Sequence, residues 1–369
     1  MSADMSVIIC ISNKTCAQID SVGGYGTGVS GGLRTGEGSA ASAGTADEAG
    51  GVDAIDPGAG RAAGENFPVA LRLLPARHRH HLMAVYTFAR TTDDIGDRAP
   101  PDRRSGLLDE LEADVRRLYA RDAGGGAFAV DGGSAGDTGS AGDAASAGDA
   151  ASAGDGGSAA GPVGPPRSRV VSALAPTVAE CGIPMQPFLD LIQANRQDQT
   201  VARYPTFTDL RGYCELSANP VGRIVLYVFG SFSERRAELS DSVCTALQLA
   251  EHWQDVAEDL RAGRIYLPAD DMDRFGCTEQ DLAGASAPPP VRELLAFEVA
   301  RARAMLDAGA PLIGMLRGAA RAAVAGYVAG GRAALAAIAA ADYDVLRVTP
   351  LPRKRRMAGE LVLAYARGR

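Results

Sequence analysis

Wherever this chain carries a hydrophobic period, it is the period of a helix. His78–Arg98 sets Leu82, Val85, Tyr86 and Ala89 on one face, at the three-to-four-residue spacing of an amphipathic helix. The same spacing predicts helices over Leu107–Tyr119, Arg169–Glu180, Pro187–Gln199, Thr208–Ser217, Ala218–Phe232, Glu238–Arg261, Val291–Leu316 and Arg317–Ala341, with a short basic helix from Arg353. Pro220 should kink the sixth of these. No run alternates apolar and polar residues as a half-buried strand does. The expected fold class is therefore all-α, a single helical bundle over residues 63–369.

Two blocks carry no such period. Residues 1–62 are rich in Gly, Ala, Ser and Thr, and a chain of that kind buries too little apolar surface to offset its ordering entropy. They are expected to form a disordered tail. Residues 123–166 contain Ser-Ala-Gly-Asp at 134–137, 140–143, 146–149 and 152–155. The repeat has no large apolar residue to stack, so it reads as a flexible loop insertion rather than a solenoid.

These blocks also carry the charge. The first holds seven acids and three bases and the second five acids and no base, so of a formal net charge of −8 the remainder holds about +1. A near-neutral folded part argues against nucleic acid as a partner. The six cysteines (Cys10, Cys16, Cys181, Cys214, Cys244, Cys277) show no CxxC spacing. Neither a zinc site nor a disulfide framework is expected, and a reducing cytoplasm fits. Cys181, Cys214 and Cys244 read as small buried residues. No stretch reaches the roughly 18–20 continuous apolar residues that span a bilayer, and Val7–Ile11 lacks the length and basic flank of a signal peptide. A soluble or membrane-peripheral protein is expected.

Two acidic clusters bear on chemistry. Asp93-Asp94-Ile95-Gly96-Asp97 and Asp255-Val256-Ala257-Glu258-Asp259 each place two carboxylates at i and i+4. Like charges at that spacing destabilise a bare helix. They make sense if a divalent cation bridges them, and carboxylate oxygens with phosphate completing the shell suit Mg²⁺. Gly263 is a plausible C-cap for the second helix. Arg90, one turn before Asp93, is placed to contact a phosphate, to steady that carboxylate, or to form an ordinary intrahelical ion pair. His78, His80 and His81, with Arg77 and Arg79, read as a basic surface at a helix end. Pro352–Arg356 followed by Leu361–Tyr365 is basic and partly amphipathic. It is suited either to peripheral contact with an anionic membrane or to plain solvation. No Gly-rich dinucleotide fingerprint follows a strand.

In order and at compatible spacing, Asn66-Phe67-Pro68, Leu73-Leu74-Pro75, Tyr86 with Arg90, the Asp93–Asp97 cluster, Arg203-Tyr204, Tyr213-Cys214 and Asp255–Pro268 resemble squalene/phytoene synthases. The resemblance covers residues 63–121 and 167–369. Ser217–Arg223 and His252-Trp253-Gln254-Asp255 look most like the hydroxysqualene synthase branch of the bacterial hopanoid pathway. The resemblance implies a class I isoprenoid synthase helical bundle with a central active-site cavity. It also implies Mg²⁺ held by Asp93, Asp97, Asp255 and Asp259, with Glu251 as a further ligand, and a diphosphate end lined by Asn66, Tyr86, Arg90, Gln248, Arg264 and Tyr266. Arg223 reads either as one more phosphate contact or as a surface arginine.

The activity implied is conversion of presqualene diphosphate to hydroxysqualene. The alternatives are head-to-head condensation of two farnesyl diphosphates, phytoene synthesis, or a helical scaffold of the same fold. A separate synthase and a separate reductase would be pathway partners. Three positions depart from the family pattern. Glu251 stands where Asn is common, Leu216 where an aromatic is frequent, and Gly330-Gly331 where larger residues sit on a late helix, with Tyr327 one turn earlier.

Overall fold

The structure, a computed structural model, describes residues 51–52, 74–123 and 164–367. The 1–62 tail lies outside the described residues except for Gly51 and Val52, and so does most of the 123–166 insertion, along with Asn66. The helices run in chain order as α1 (Ala76–Arg98), α2 (Arg104–Ala123), α3 (Arg169–Cys181), α4 (Gln186–Gln197), α5 (Phe207–Ser217), α6 (Asn219–Val228), α7 (Glu234–Gln254), α8 (Val256–Arg261), α9 (Ala269–Phe275), α10 (Glu279–Leu282), α11 (Pro289–Gly309), α12 (Leu312–Met315), α13 (Gly318–Ala340) and α14 (Lys354–Arg367). No strand occurs among the described residues. One isolated bridge pairs Arg203 with Ile265.

Helix ends follow local chemistry. Ser168 and Ser233 cap α3 and α7, and Thr206 with Asp209 forms a capping box at α5. Each satisfies amides that a first turn leaves without partners. Pro220 does not kink a continuous helix: α5 ends at Ser217, and Pro220 sits in the first turn of α6, where its missing N–H costs nothing. The long helix expected over Glu238–Arg261 starts earlier and bends at Asp255, whose φ/ψ of −104°/13° is not helical. The helical hydrogen bonds still bridge the bend, Asp255 N to Glu251 O at 2.9 Å and Asp259 N to Asp255 O at 2.9 Å. The acid pair therefore remains one turn apart. Two short helices, α9 and α10, were too brief for a periodicity argument to find.

At the centre lies α7, packed against α11, α6, α13 and α5. Every residue from Val243 to Gln254 is buried. That run includes Thr245, Gln248, Glu251, His252 and Gln254, and polar groups are retained in a core only where they have partners or work to do. Among the described residues one helix, α13, is long and apolar enough to cross a membrane by length and composition, although its sequence is not continuously apolar. Most of that window, 72%, is buried within the bundle, so α13 reads as a core helix. Cys214 and Cys244 are buried free thiols, and Cys181 is only partly buried.

Glu298 on α11 is fully buried, and one guanidinium, that of Arg301, serves both it (2.9 Å) and Asp271 (2.7 Å). Burial pushes the Glu298 carboxyl up to about 8, with Arg301 opposing and Asp271 adding. A carboxyl whose folded pKa is raised stabilises the fold while it is protonated, and that contribution is lost as pH rises through the folded value. The wild-type protein should therefore lose on the order of 2 kcal/mol between pH 6 and pH 9 from this group. Glu298→Gln should flatten that slope in urea titrations at the two pH values; an unchanged slope would remove Glu298 as its source.

Candidate active site

Five elements meet around a group of carboxylates. Helix α1 supplies Asp93 and Asp97, the segment after α4 supplies Asp198, α7 supplies Glu251 and, at its C-cap, Asp255, and α8 supplies Asp259. The loop after α8 is pulled in by backbone bonds from Ile265 N to Ala202 O (3.0 Å) and from Ala269 N to Tyr204 O (2.9 Å). These bonds bring Arg264 and Tyr266 against the segment that carries Asp198.

Asp93 Oδ1 accepts a hydrogen bond from Asn195 Nδ2 at 3.1 Å, while its Oδ2 is buried with no hydrogen-bond partner. The glycine of the first cluster has a packing reason. A Cβ on Gly96 would lie 2.3 Å from Asn195 Oδ1, so only glycine lets Asn195 reach Asp93. Asp97 faces Arg264 Nη1 at 3.5 Å, and the same guanidinium donates to the Asp198 carbonyl at 3.1 Å. Tyr213 donates its hydroxyl to Asp198 Oδ2 at 2.9 Å.

The electrostatics mark a site short of positive charge. Burial pushes the Asp93 carboxyl well above the usual range; Asn195 opposes this and the Asp97 charge adds to it. Burial raises Asp97 to about 6, with Arg104 opposing and Asp94 adding. Asp198 is raised to about 8, first by burial and further by Asp97 and Asp259, against the Tyr213 hydrogen bond. Asp198 thus lies in the fields of both Asp97 and Asp259. Raised values such as those of Asp93, Asp97 and Asp198 are what crowded, desolvated carboxylates show.

An aromatic wall backs the cluster. His252 stacks on Tyr266 with centroids 3.7 Å apart and planes 13° apart, Tyr204 stacks on the same ring at 5.8 Å, and Tyr213 lies 5.7 Å away. His252 Nδ1 lies 3.9 Å from Asp259 Oδ2, and its Nε2 is 3.2 Å from Gln248 Nε2. Glu251 and Asp255 are buried one turn apart at the end of α7. Tyr86 is buried on α1, two turns before Asp93.

The remaining candidates sort plainly. Arg90 Nε faces Asp94 at 3.4 Å, and Arg98 faces the same carboxylate at 3.3 Å. The intrahelical ion pair is thus the geometry present, and Arg90's charge still lowers both Asp93 and Asp97. Of the two readings of Arg223, the geometry present is that of a surface arginine: its half-exposed guanidinium is held by both oxygens of Asp241 at 3.1 and 2.7 Å, beside an open polar cavity of about 610 Å³ that Asp190, Arg211 and Glu215 also line. An acid on the next helix claimed it, and a single sequence does not reveal such a partner.

The Gly330-Gly331 departure concerns packing: a Cβ on Gly331 would meet Leu247 at 2.7 Å and Leu306 at 2.9 Å. His81 is not part of an exposed basic surface. It is buried, with Nδ1 3.0 Å from Thr177 Oγ1 and Nε2 3.5 Å from Glu180. Sequence reasoning missed Asp198 and Asn195. Asp198 has no acid partner at helical spacing, and the only available signal was its place five residues before the Arg203-Tyr204 pair.

Divalent cations fit this chemistry. The donors are hard carboxylate oxygens, Asp93 Oδ2 among them is buried without a hydrogen bond, and several are desolvated against their own charge. Among the described residues no three of these carboxylates converge within 4.8 Å; the one three-donor group that does is His80, His81 and Glu180, on α1 and α3. Cations at such a spread-out set complete their shells with water and phosphate oxygens, as Mg²⁺ commonly does.

A sequence profile of squalene/phytoene synthases matches residues 61–357. The chain belongs to the squalene/phytoene synthase family. It is 32% identical over 251 residues to a hydroxysqualene synthase of Rhodopseudomonas palustris, covering 67% of this chain and 70% of that protein. A hydroxysqualene synthase of Sinorhizobium fredii is 30% identical, with 69% and 72% covered. Phytoene synthase 2 of Zea mays is 33% identical over 55% of this chain and 52% of its own. Among solved structures, a squalene synthase of Alicyclobacillus acidocaldarius superposes with a TM-score of 0.61 at 37% identity, covering 77% of this chain and 91% of that one. A dehydrosqualene synthase bound to a ligand shares the fold, with a TM-score of 0.62 at 22% identity. The bundle is thus the class I isoprenoid synthase fold, and this squalene/phytoene synthase-family chain carries aspartate clusters on α1 and across the α7–α8 bend. The family generally uses a divalent metal and acts on isoprenoid diphosphates.

Proposed function

We propose that this family member converts presqualene diphosphate to hydroxysqualene with loss of diphosphate. The observation that carries the reading is the crowded, partly to fully buried carboxylate group of Asp93, Asp97, Asp198 and Asp259 beside the Tyr204–Tyr266–His252 wall, in a chain whose similar curated relatives include hydroxysqualene synthases. Asp93, Asp97, Glu251, Asp255 and Asp259 would hold Mg²⁺, which supplies positive charge to bind the diphosphate and stabilise it as a leaving group.

The chain's own residues do the rest. Arg264 spans Asp97 and the Asp198 carbonyl and is positioned to orient a phosphate oxygen. Tyr213, whose phenol burial and Asp198 hold well above its ordinary pKa, stays protonated and keeps donating to Asp198. The aromatic rings present π faces toward positive charge and keep bulk water away. The C–O bond breaks with its electron pair leaving on diphosphate, the cyclopropylcarbinyl cation rearranges, and one water adds with release of a proton. No reductant enters, so squalene would require a separate reductase, and another synthase would supply presqualene diphosphate.

The 37% identity to a squalene synthase favours a second reading, condensation of two farnesyl diphosphates. Purified protein with Mg²⁺ and no nicotinamide, given each substrate in parallel, separates the two by mass spectrometry of products. Hydroxysqualene from presqualene diphosphate, with nothing from farnesyl diphosphate, is the expected result. Presqualene diphosphate formed from farnesyl diphosphate would replace the first reading by the second. Silence of the folded protein with both would sink the two together.

A further inference from the structure

The large apolar side chains left exposed are not scattered. Of six among the described residues, five lie between Val348 and Tyr365: Val348 (67% exposed), Leu351 (76%), Val362 (68%), Leu363 and Tyr365. Isolated exposed apolar residues are ordinary, but a cluster marks a contact surface. Helix α14 buries Met357 and Ala364 against the bundle and packs on α13. Arg321 of α13 fastens it, donating to the Tyr365 carbonyl at 2.8 Å and lying 4.5 Å over the Tyr365 ring. Its outward face is therefore held in place and left without a partner.

Charge identifies the occupant. Arg347, Arg353, Arg355 and Arg356 are exposed in the same stretch. Arg355 and Val362, and Arg356 and Leu363, stand seven residues apart and so share faces of α14. From Val345 to Arg367 the only acid is Glu360, which is half-buried. The nearest acids upstream, Asp342 and Asp344, are both taken by Arg292. In a chain of formal net charge −8, this face alone among the described residues joins unneutralised arginines to exposed apolar side chains. A second protein copy, itself net acidic, would answer the arginines but offers no matching apolar patch, since the exposed large apolar side chains of the described residues lie almost all on this same basic face. An anionic bilayer answers both, with phosphate headgroups for the arginines and the acyl boundary for Val348, Leu351, Val362 and Leu363.

We infer that α14 and the segment before it form a docking face for an anionic membrane surface. The contact lies on the membrane rather than across it, since α13, the helix long enough to span among the described residues, is largely buried in the core. The inference rests on this face and not on the proposed reaction.

The test is co-sedimentation of the full chain with phosphatidylglycerol-containing vesicles and with pure phosphatidylcholine vesicles, at low and high salt. The expected result is binding to the anionic vesicles, weakened by salt. At about fivefold per basic residue, Arg355→Glu with Arg356→Glu should reduce partitioning at least ~10-fold. Val362→Asp with Leu363→Asp should do the same, because these side chains face out; circular dichroism checks that each variant folds. Failure to sediment with anionic vesicles overturns the inference, as does binding that both double variants retain. A concentration-dependent dimer lost in the Val362→Asp, Leu363→Asp variant, without vesicle binding, would assign the face to a second copy instead.

Discussion

Asparagine in place of Asp97 is expected to stabilise the metal-free protein while lowering turnover of its prenyl diphosphate about 10³-fold, the scale seen when one transition-state charge contact is removed. The two effects have one cause. Asp97 is mostly buried beside other carboxylates, and its pKa is raised to about 6. A raised folded pKa means that the neutral form favours folding, and that this contribution disappears as pH rises through 6. At pH 8 the folded protein holds an ionised carboxylate that it would shed if it could, and Asn removes that penalty, worth about 1–2 kcal/mol. At pH 5 wild-type Asp97 is largely protonated when folded but still ionised when unfolded, so the gain should fall to roughly half, vanishing only below about pH 4. Thermal melts of the two proteins with chelator at pH 5 and pH 8, together with kcat in excess Mg²⁺, provide the check. Equal stability at pH 8, or turnover within tenfold of wild type, would remove Asp97 from the cation-holding group. Trading stability for function in this way is usual where a site needs crowded charge.

The second large effect concerns the scaffold. Gly309→Ala should destabilise the protein by about 3 kcal/mol, lowering Tm by roughly 6–12 °C. The added Cβ would lie 2.6 Å from the Leu239 carbonyl oxygen and 2.6 Å from Val243 Cγ2. A backbone oxygen cannot rotate aside, so α11 must move off α7. Because α7 carries Gln248, Glu251 and Asp255, activity should fall with stability, and Mg²⁺ with inorganic diphosphate should recover part of the loss by binding the folded state. A melt within a degree or two of wild type would show that the α7–α11 crossing relaxes freely. Gly106→Ala is the control, since nothing lies within 4 Å of a Cβ there.

The helical class, the order of the long helices and the two acid clusters were legible in the sequence because each is local. A helix writes its apolar face every three or four residues, and an i, i+4 acid pair is visible without knowing what faces it. Family resemblance rested on the same short motifs. The placement of partners was not legible, because partners come from distant segments. Asn195 reaches Asp93 across 102 residues, and Gly96 reads as an odd helix residue until Asn195 is seen against it.

Arg223 read either as a phosphate contact or as a surface arginine, and only the fold shows that Asp241, eighteen residues on, holds it. His81 looked like surface until Thr177 covered it. Asp198 carried no local mark, and only the fold gathers it with Asp97 and Asp259 in a place dry enough to raise its pKa to about 8. Local spacing therefore determined what kind of elements this chain makes and which of them bear acids. Which carboxylates share one field, and which cations are already neutralised, was decided by tertiary packing alone, since burial and distance are properties of the folded chain.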